Sequence, residues 1–210
     1  MSVNIILQIQ NSNMVIYAFL GRKRSGKDTA AKIVRDTIND NVVVKEMSFA
    51  EPMKDALIEL TGAPREYFYE QEMKEKTCIQ FNDKSFTPRG LMTWYGNLMR
   101  DKFGNDFWVN KVKRRLQNVE HGIDYVFITD LRFLEETKMV DELGAKIIYM
   151  DRDAILGPMP ENADISEKVV YESRAWAKNH AKDYHEISNH NNSIGYLTMH
   201  IRYSLKMKDI

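Results

Sequence analysis

The chain is short of everything that would anchor, cross-link or polarise it. Cys78 is its only cysteine, which excludes an internal disulfide and fits a reducing compartment. Lys plus Arg and Asp plus Glu are 30 each, so there is no overall basic field of the kind that drives nonspecific nucleic-acid binding. No apolar run approaches the length of a bilayer span, and the start lacks a basic segment followed by an apolar core and a small-residue cleavage site. A soluble, cytoplasmic protein with no nucleic-acid or membrane partner is the expectation. With five prolines and no low-complexity segment or internal repeat, nothing marks a linker. The 210 residues suffice for one domain with a well-buried core. His121, His180, His185, His190 and His200 form neither an i,i+4 helical pair nor a group with cysteine, so zinc is not expected.

What is present begins with Gly21-Arg22-Lys23-Arg24-Ser25-Gly26-Lys27-Asp28-Thr29, between the apolar run Met14 to Leu20 and a helical pattern starting at Thr29. A strand, a glycine loop and a helix in that order build a polyphosphate cradle. Loop amides face the anion, the helix points its positive end at it, and the lysine reaches the outer phosphates. The spacing is GxxxxGK, but Asp28 stands where Ser or Thr ordinarily offers a hydroxyl to magnesium. Thr29 is no simple substitute, because one residue turns a helical side chain by about 100°. Asp28 can hold magnesium directly or through a water, and it also suits a first helical turn. A nucleoside triphosphate is the implied ligand.

Further β-branched or apolar runs at Val42–Phe49, Tyr125–Thr129, Lys146–Met150 and Tyr184–Ser188 alternate with helical patterns. They predict an α/β fold of three layers (α/β/α), its mostly parallel, five-stranded sheet carrying ligands at the carboxyl ends of the strands. The stretch from 51 to 108 is too long for a simple crossover and predicts inserted helices that cover a substrate.

Asp130, directly after the run Tyr125–Thr129, is placed to orient magnesium, its waters or a substrate hydroxyl, and Arg132 to grip a phosphate. The alternative is that Asp130 caps the next helix, with Glu135 and Glu136 in its first turn. From Pro88 to Arg100 the spacing predicts a helix capped by Thr87. Leu91, Trp94, Tyr95, Leu98 and Met99 gather on one side, while Arg89, Thr93, Gly96 and Arg100 fall into a stripe about 60° wide. A glycine in that stripe suggests close approach by something, a nucleotide being one candidate; an ordinary solvated face is the other reading.

Together these residues resemble the bacteriophage-type deoxynucleoside monophosphate kinases of the phosphate-loop fold. The resemblance rests on four segments: the loop with its Asp28; Thr87-Pro88-Arg89, Trp94-Tyr95-Gly96-Asn97, Arg100 and Asp106-Phe107-Trp108-Val109-Asn110; Ile128-Thr129-Asp130-Leu131-Arg132-Phe133; and Asp164-Ile165-Ser166-Glu167 with Ile187-Ser188-Asn189 and Leu197. It covers most of the chain from Met14 to Leu197.

The resemblance implies transfer of the γ-phosphoryl group of ATP to a deoxynucleoside 5′-monophosphate, with magnesium, in a cytoplasm that would be the host's for a phage protein. It implies that Gly21, Lys27 and the amides of Arg24, Ser25 and Gly26 hold the ATP phosphates, and that Asp28 and Thr29 organise the metal. Arg89 and Arg100 would address the acceptor phosphate alongside Thr93, Gly96 and Asn97. Trp94 or Trp108 would stack on the base, and Asp130 would lie near the acceptor sugar or the metal waters. Both tryptophans can equally be core, Trp94 more so for its apolar neighbours. A homodimer is the implied assembly.

The segment Asp151 to 163, with Gly157, Pro158 and Pro160, is expected to be a lid over the phosphates with Arg152 as its charge-stabilising tip; a surface turn with a local Asp–Arg pair is the alternative. Asp164 and Glu167 fit a capping box and are assigned no chemistry. Lys27, Arg132, Arg152 and Asp130 are thus the candidate catalytic residues. Two other readings stay open: another phosphate-loop kinase, of the phosphomevalonate or dephospho-coenzyme A type, and a nonenzymatic ATP-dependent interaction module.

Overall fold

The computed structural model describes residues 14–38, 41–76, 78–81 and 83–207. The chain divides into two compact units, one formed by Met1–Ser48 with Arg115–Ile210 and the other by Phe49–Arg114.

The first unit is built on a sheet whose strands are all parallel, β1 (Val15–Leu20), β2 (Val44–Met47), β5 (Tyr125–Leu131), β6 (Lys146–Asp151) and β7 (Tyr184–Ser188), in the order β2-β5-β1-β6-β7. Parallel strands are covered on both faces, which explains why they read as near-continuous apolar runs. Tyr17, Phe19, Phe127, Ile148, Met150 and Ile187 point to one face. There they pack with Ala30, Ala31, Ile33 and Val34 of helix α1 (Lys27–Thr37) and with Leu197 and Ile201 of α11 (Ile194–Ser204). By alternation Ile16, Ala18 and Leu20 face the other way, toward the side carrying α7 (Leu134–Glu142) and α10 (Val170–His180). The result is the three-layer α/β/α arrangement of a phosphate-loop kinase, built on the five strands that the sequence predicts. β7 has its expected extent, β1 and β6 differ from theirs by one residue each, and two strands differ by more. β2 is limited to Val44–Met47, and β5 runs on to Leu131.

Its pairing with β1 explains the extension of β5. Ala18 lies opposite Ile128 and Leu20 opposite Leu131, so β5 carries one more residue than its partner between these points. Such an irregularity re-aims side chains at a strand end, and here it falls at Thr129 and Asp130. Both β5 and β1 therefore deliver their polar residues to the same carboxyl end of the sheet.

The second unit holds α2 (Glu51–Thr61), α3 (Glu66–Tyr69), α4 (Gln71–Lys76), the antiparallel pair β3 (Ile79–Phe81) and β4 (Lys84–Phe86), α5 (Pro88–Phe103) and most of α6 (Asp106–Gln117). It has its own core of Leu57, Phe68, Ile79, Leu91 and Met92. The hairpin was not among the sequence expectations. Helix α5 starts where its spacing predicts, with the Thr87 side chain accepting a hydrogen bond from Gly90 N at 3.0 Å and Pro88 in the first turn. The remaining helices, α8 (Asp153–Leu156) and α9 (Ile165–Lys168), lie in the first unit between β6 and α10.

Candidate active site

The loop after β1 closes tightly enough that two of its residues must be glycine. Gly26 caps α1 with φ 98°, and a Cβ there would lie 2.6 Å from Asn189 Nδ2; a Cβ on Gly21, at φ 154°, would lie 2.6 Å from Ser25 Oγ. Only glycine combines that backbone region with that lack of room. Inside the loop, Lys27 is 7% exposed and its Nζ donates to Gly21 O at 2.8 Å and Arg22 O at 2.7 Å. The Ser25 hydroxyl is buried with no hydrogen-bond partner among the described residues. A loop lined by a folded-back lysine and an unsatisfied hydroxyl, at the start of an 11-residue helix, suits a polyphosphate.

The structure holds this loop from several sides. Asn189, just after β7, donates from Nδ2 to Ser25 O at 2.9 Å and from its backbone N to Asp151 O at 2.7 Å. Arg22, 6% exposed, reaches Gly157 O at 2.7 Å and Asp153 Oδ1 at 3.2 Å. Lys23 N donates to Glu167 Oε2 at 2.8 Å, while Glu167 Oε1 pairs with the Arg132 guanidinium. Arg152 donates to Arg24 O at 3.2 Å and to Asn192 Oδ1.

Three expectations need correction. Arg152 is the residue immediately after β6, so it stands at the root of the 151–163 segment and not at its tip, and its hydrogen bonds go to the loop carbonyl and Asn192 in place of a local aspartate. Asp164 does cap α9, accepting from Ser166 N at 2.8 Å, but Glu167 turns away from the cap toward Lys23 and Arg132. Capping of α7 falls to Glu136, whose carboxylate accepts from Arg132 N at 2.9 Å and Phe133 N at 3.0 Å. That removes the capping alternative for Asp130, the last residue but one of β5 and three residues before the N-cap Phe133.

Within the second unit, Arg89 lies on α5 with its guanidinium held by Glu75 Oε1 at 2.5 Å and Gln71 Oε1 at 3.3 Å, both from α4. Thr93 is exposed, and Asn97 and Arg100 are half-buried. Gly96 departs from the open stripe expected of it. It is buried, a Cβ would meet Met53 Sδ of α2 at 3.1 Å, and its carbonyl accepts from Trp108 Nε1 at 3.2 Å. The close approach that the glycine signals is thus helix packing. Trp108, 4% exposed and ringed by Tyr95 and Phe107, has no free face for a base. Trp94, for which the sequence favours the core, is 44% exposed, with Phe86 and Tyr95 as ring neighbours.

Residues 60–171 match the deoxynucleotide monophosphate kinase family. A viral protein, "Putative deoxynucleotide monophosphate kinase" of Acanthamoeba polyphaga mimivirus, is 32% identical over 155 residues, 68% of this chain and 76% of that protein. The chain belongs to the deoxynucleotide monophosphate kinase family. The family match takes in Arg89, Arg100, Asp130, Arg132, Arg152 and Glu167 of this kinase and stops short of the phosphate loop, whose assignment therefore rests on the geometry above.

The electrostatics of the kinase converge on Lys27. Burial, followed by the nearby Arg132 charge, lowers its pKa from 10.5 to about 7, against opposing pulls from Asp28 and Asp130. These four groups thus share one field, although Asp130 near the end of β5 and Arg132 just after it lie more than a hundred residues farther along the chain. Asp28 and Thr29 are exposed in the first turn of α1. Their oxygens, with substrate phosphates and water, are the donor set that magnesium prefers. Among the described residues no group of three or more His, Cys, Asp or Glu could hold a metal alone, and no helix is long and apolar enough to cross a membrane. Sequence reasoning missed Arg22, Asn189 and Glu167. A basic residue inside a phosphate loop and a polar residue directly after a parallel strand were the available signals for the first two.

Proposed function

We propose that this kinase transfers the γ-phosphoryl group of ATP to a deoxynucleoside 5′-monophosphate in the cytoplasm, giving ADP and the diphosphate. The observation that carries the reading is the cradle formed by Gly21 to Lys27 in a chain of the deoxynucleotide monophosphate kinase family. Phosphoryl transfer asks the protein for alignment and positive charge more than for a covalent catalyst. Lys27 would leave the two carbonyls it now holds and meet the outer phosphates, the amides of Arg24, Ser25 and Gly26 would take the inner ones, and the Ser25 hydroxyl would gain a partner. Arg132 and Arg152 would stabilise charge on the transferring group. Magnesium, held by Asp28 and Thr29, would offset the charge of the phosphates. Asp130 would orient the acceptor sugar or the waters around the metal.

For the acceptor, the reading uses the second unit. Arg89, already fixed by Glu75 and Gln71, and Arg100 would bind the monophosphate, with Thr93 and Asn97 adding polar contacts. Of the two tryptophans, Trp94 is the one whose ring is open to a base. ADP release measured with each deoxynucleoside monophosphate and its ribose counterpart tests the reading. Turnover stimulated by deoxynucleoside monophosphates supports it. Stimulation only by acceptors of another class, or ATP hydrolysis indifferent to any acceptor, refutes it.

A further inference from the structure

Glu167 sits at a point that neither family membership nor helix capping explains. Its helix is already capped by Asp164, leaving the carboxylate for two distant groups: the Lys23 amide of the phosphate loop and the Arg132 guanidinium. The ion pair is largely shielded from water, with side-chain exposures of 18% for Arg132 and 16% for Glu167. Arg132 in turn stands close enough to Lys27 to disfavour its charged form. Two cations collected in one place before an anionic substrate arrives repel each other, and the rotamer freedom of a long arginine side chain favours its swinging away. A carboxylate fixed at its other oxygen by a backbone amide opposes both tendencies.

We propose that Glu167 is a positioning residue for phosphoryl transfer: it holds Arg132 beside the phosphate loop in the nucleotide-free protein, so that this charge is in place when the γ-phosphoryl group moves. The inference rests on the kinase reading above, and specifically on Arg132 serving the transferring group. Preorganised charge lowers the barrier because nothing need reorganise during the reaction, and misplacement by about 1 Å can cost about 100-fold in rate. The segment that follows β6 is by this account a strap as well as a cover, since Asp153 and the Gly157 carbonyl hold Arg22 while Glu167 holds Lys23.

The test compares wild type, E167Q, R132A and the double variant by steady-state kinetics with ATP and the best deoxynucleoside monophosphate. Glutamine keeps the volume and an oxygen for the Lys23 amide but loses the charge that holds Arg132. The expected result for E167Q is a kcat lower by about 10- to 100-fold with both KM values within about threefold, measured at a temperature where its melting curve shows the variant fully folded. The double variant should match R132A within about twofold, because Glu167 acts through Arg132. A wild-type kcat in E167Q, or losses that multiply in the double variant, would overturn the inference while leaving the kinase reading intact. Should E167Q not fold, E167D, one methylene too short to keep both partners, is held to the same kcat and double-variant criteria. A wild-type protein inactive on every deoxynucleoside monophosphate would remove the kinase reading, and this inference with it.

Discussion

Binding of ATP should draw a proton onto Lys27, and the size of the effect follows from its surroundings. In the free protein burial and Arg132 hold this amine at about pKa 7. A bound triphosphate supplies several negative charges and should return it toward the ordinary lysine value of about 10. At pH 8 only about a tenth of Lys27 is charged beforehand, so binding should take up about 0.9 proton per ATP, falling to about 0.1 from this residue at pH 6. The sign is that of a base whose charged form the ligand favours: affinity decreases as pH rises above 7, by about 50-fold between pH 7 and pH 9. The terminal phosphate does not obscure the measurement at pH 8, since its last proton leaves at about pH 6. Calorimetric titration in buffers of low and high ionisation enthalpy reads the uptake directly. Uptake below about 0.3 proton at pH 8, or an uptake no larger there than at pH 6, would refute the argument that Lys27 is the group receiving the phosphates.

Other substitutions separate the roles assigned here. Asn189→Ala removes the hydrogen bond to Ser25 O and should weaken ATP binding by about tenfold, in line with about 1 to 1.5 kcal/mol for one buried bond; equal affinity by calorimetry would show that the loop keeps its shape unaided. Trp108→Ala should destabilise the protein by about 3 to 5 kcal/mol in denaturant titration, as expected for a large buried ring. Trp94→Ala should cost under about 1 kcal/mol and instead raise KM for the monophosphate, and the reverse order would invert their assignments. Arg89→Ala should raise acceptor KM by about tenfold or more with ATP binding unchanged; unaltered acceptor kinetics would remove Arg89 from the site.

The sheet and the phosphate loop were legible because their signals are local. Strands buried on both faces must be apolar throughout, and a loop that wraps an anion needs its glycines and lysine within a few consecutive residues. Helix α5 was equally legible from its cap and period. The hairpin of β3 and β4 was not, because strands of three residues each are too short to display a period of two. Asn189 and Glu167 lay beyond reach for a different reason: they meet the loop across 164 and 144 residues of sequence, and nothing in their own neighbourhoods encodes such a partner. The tryptophans show the limit of angular reasoning. It locates the apolar arc of α5 but not what else packs on the helix, and Met53 against Gly96 closes part of the opposite side that the pattern leaves open.

Transfer of a phosphoryl group from ATP held at Lys27 to a deoxynucleoside monophosphate can be followed directly. Supplying ATP labelled at the γ-phosphate together with each deoxynucleoside monophosphate, and separating the products, follows that group itself. The label should appear at the β-position of a deoxynucleoside diphosphate with wild-type protein and be lost with Lys27→Ala for every acceptor. Label recovered only as inorganic phosphate, or transferred equally well without Lys27, would contradict the account.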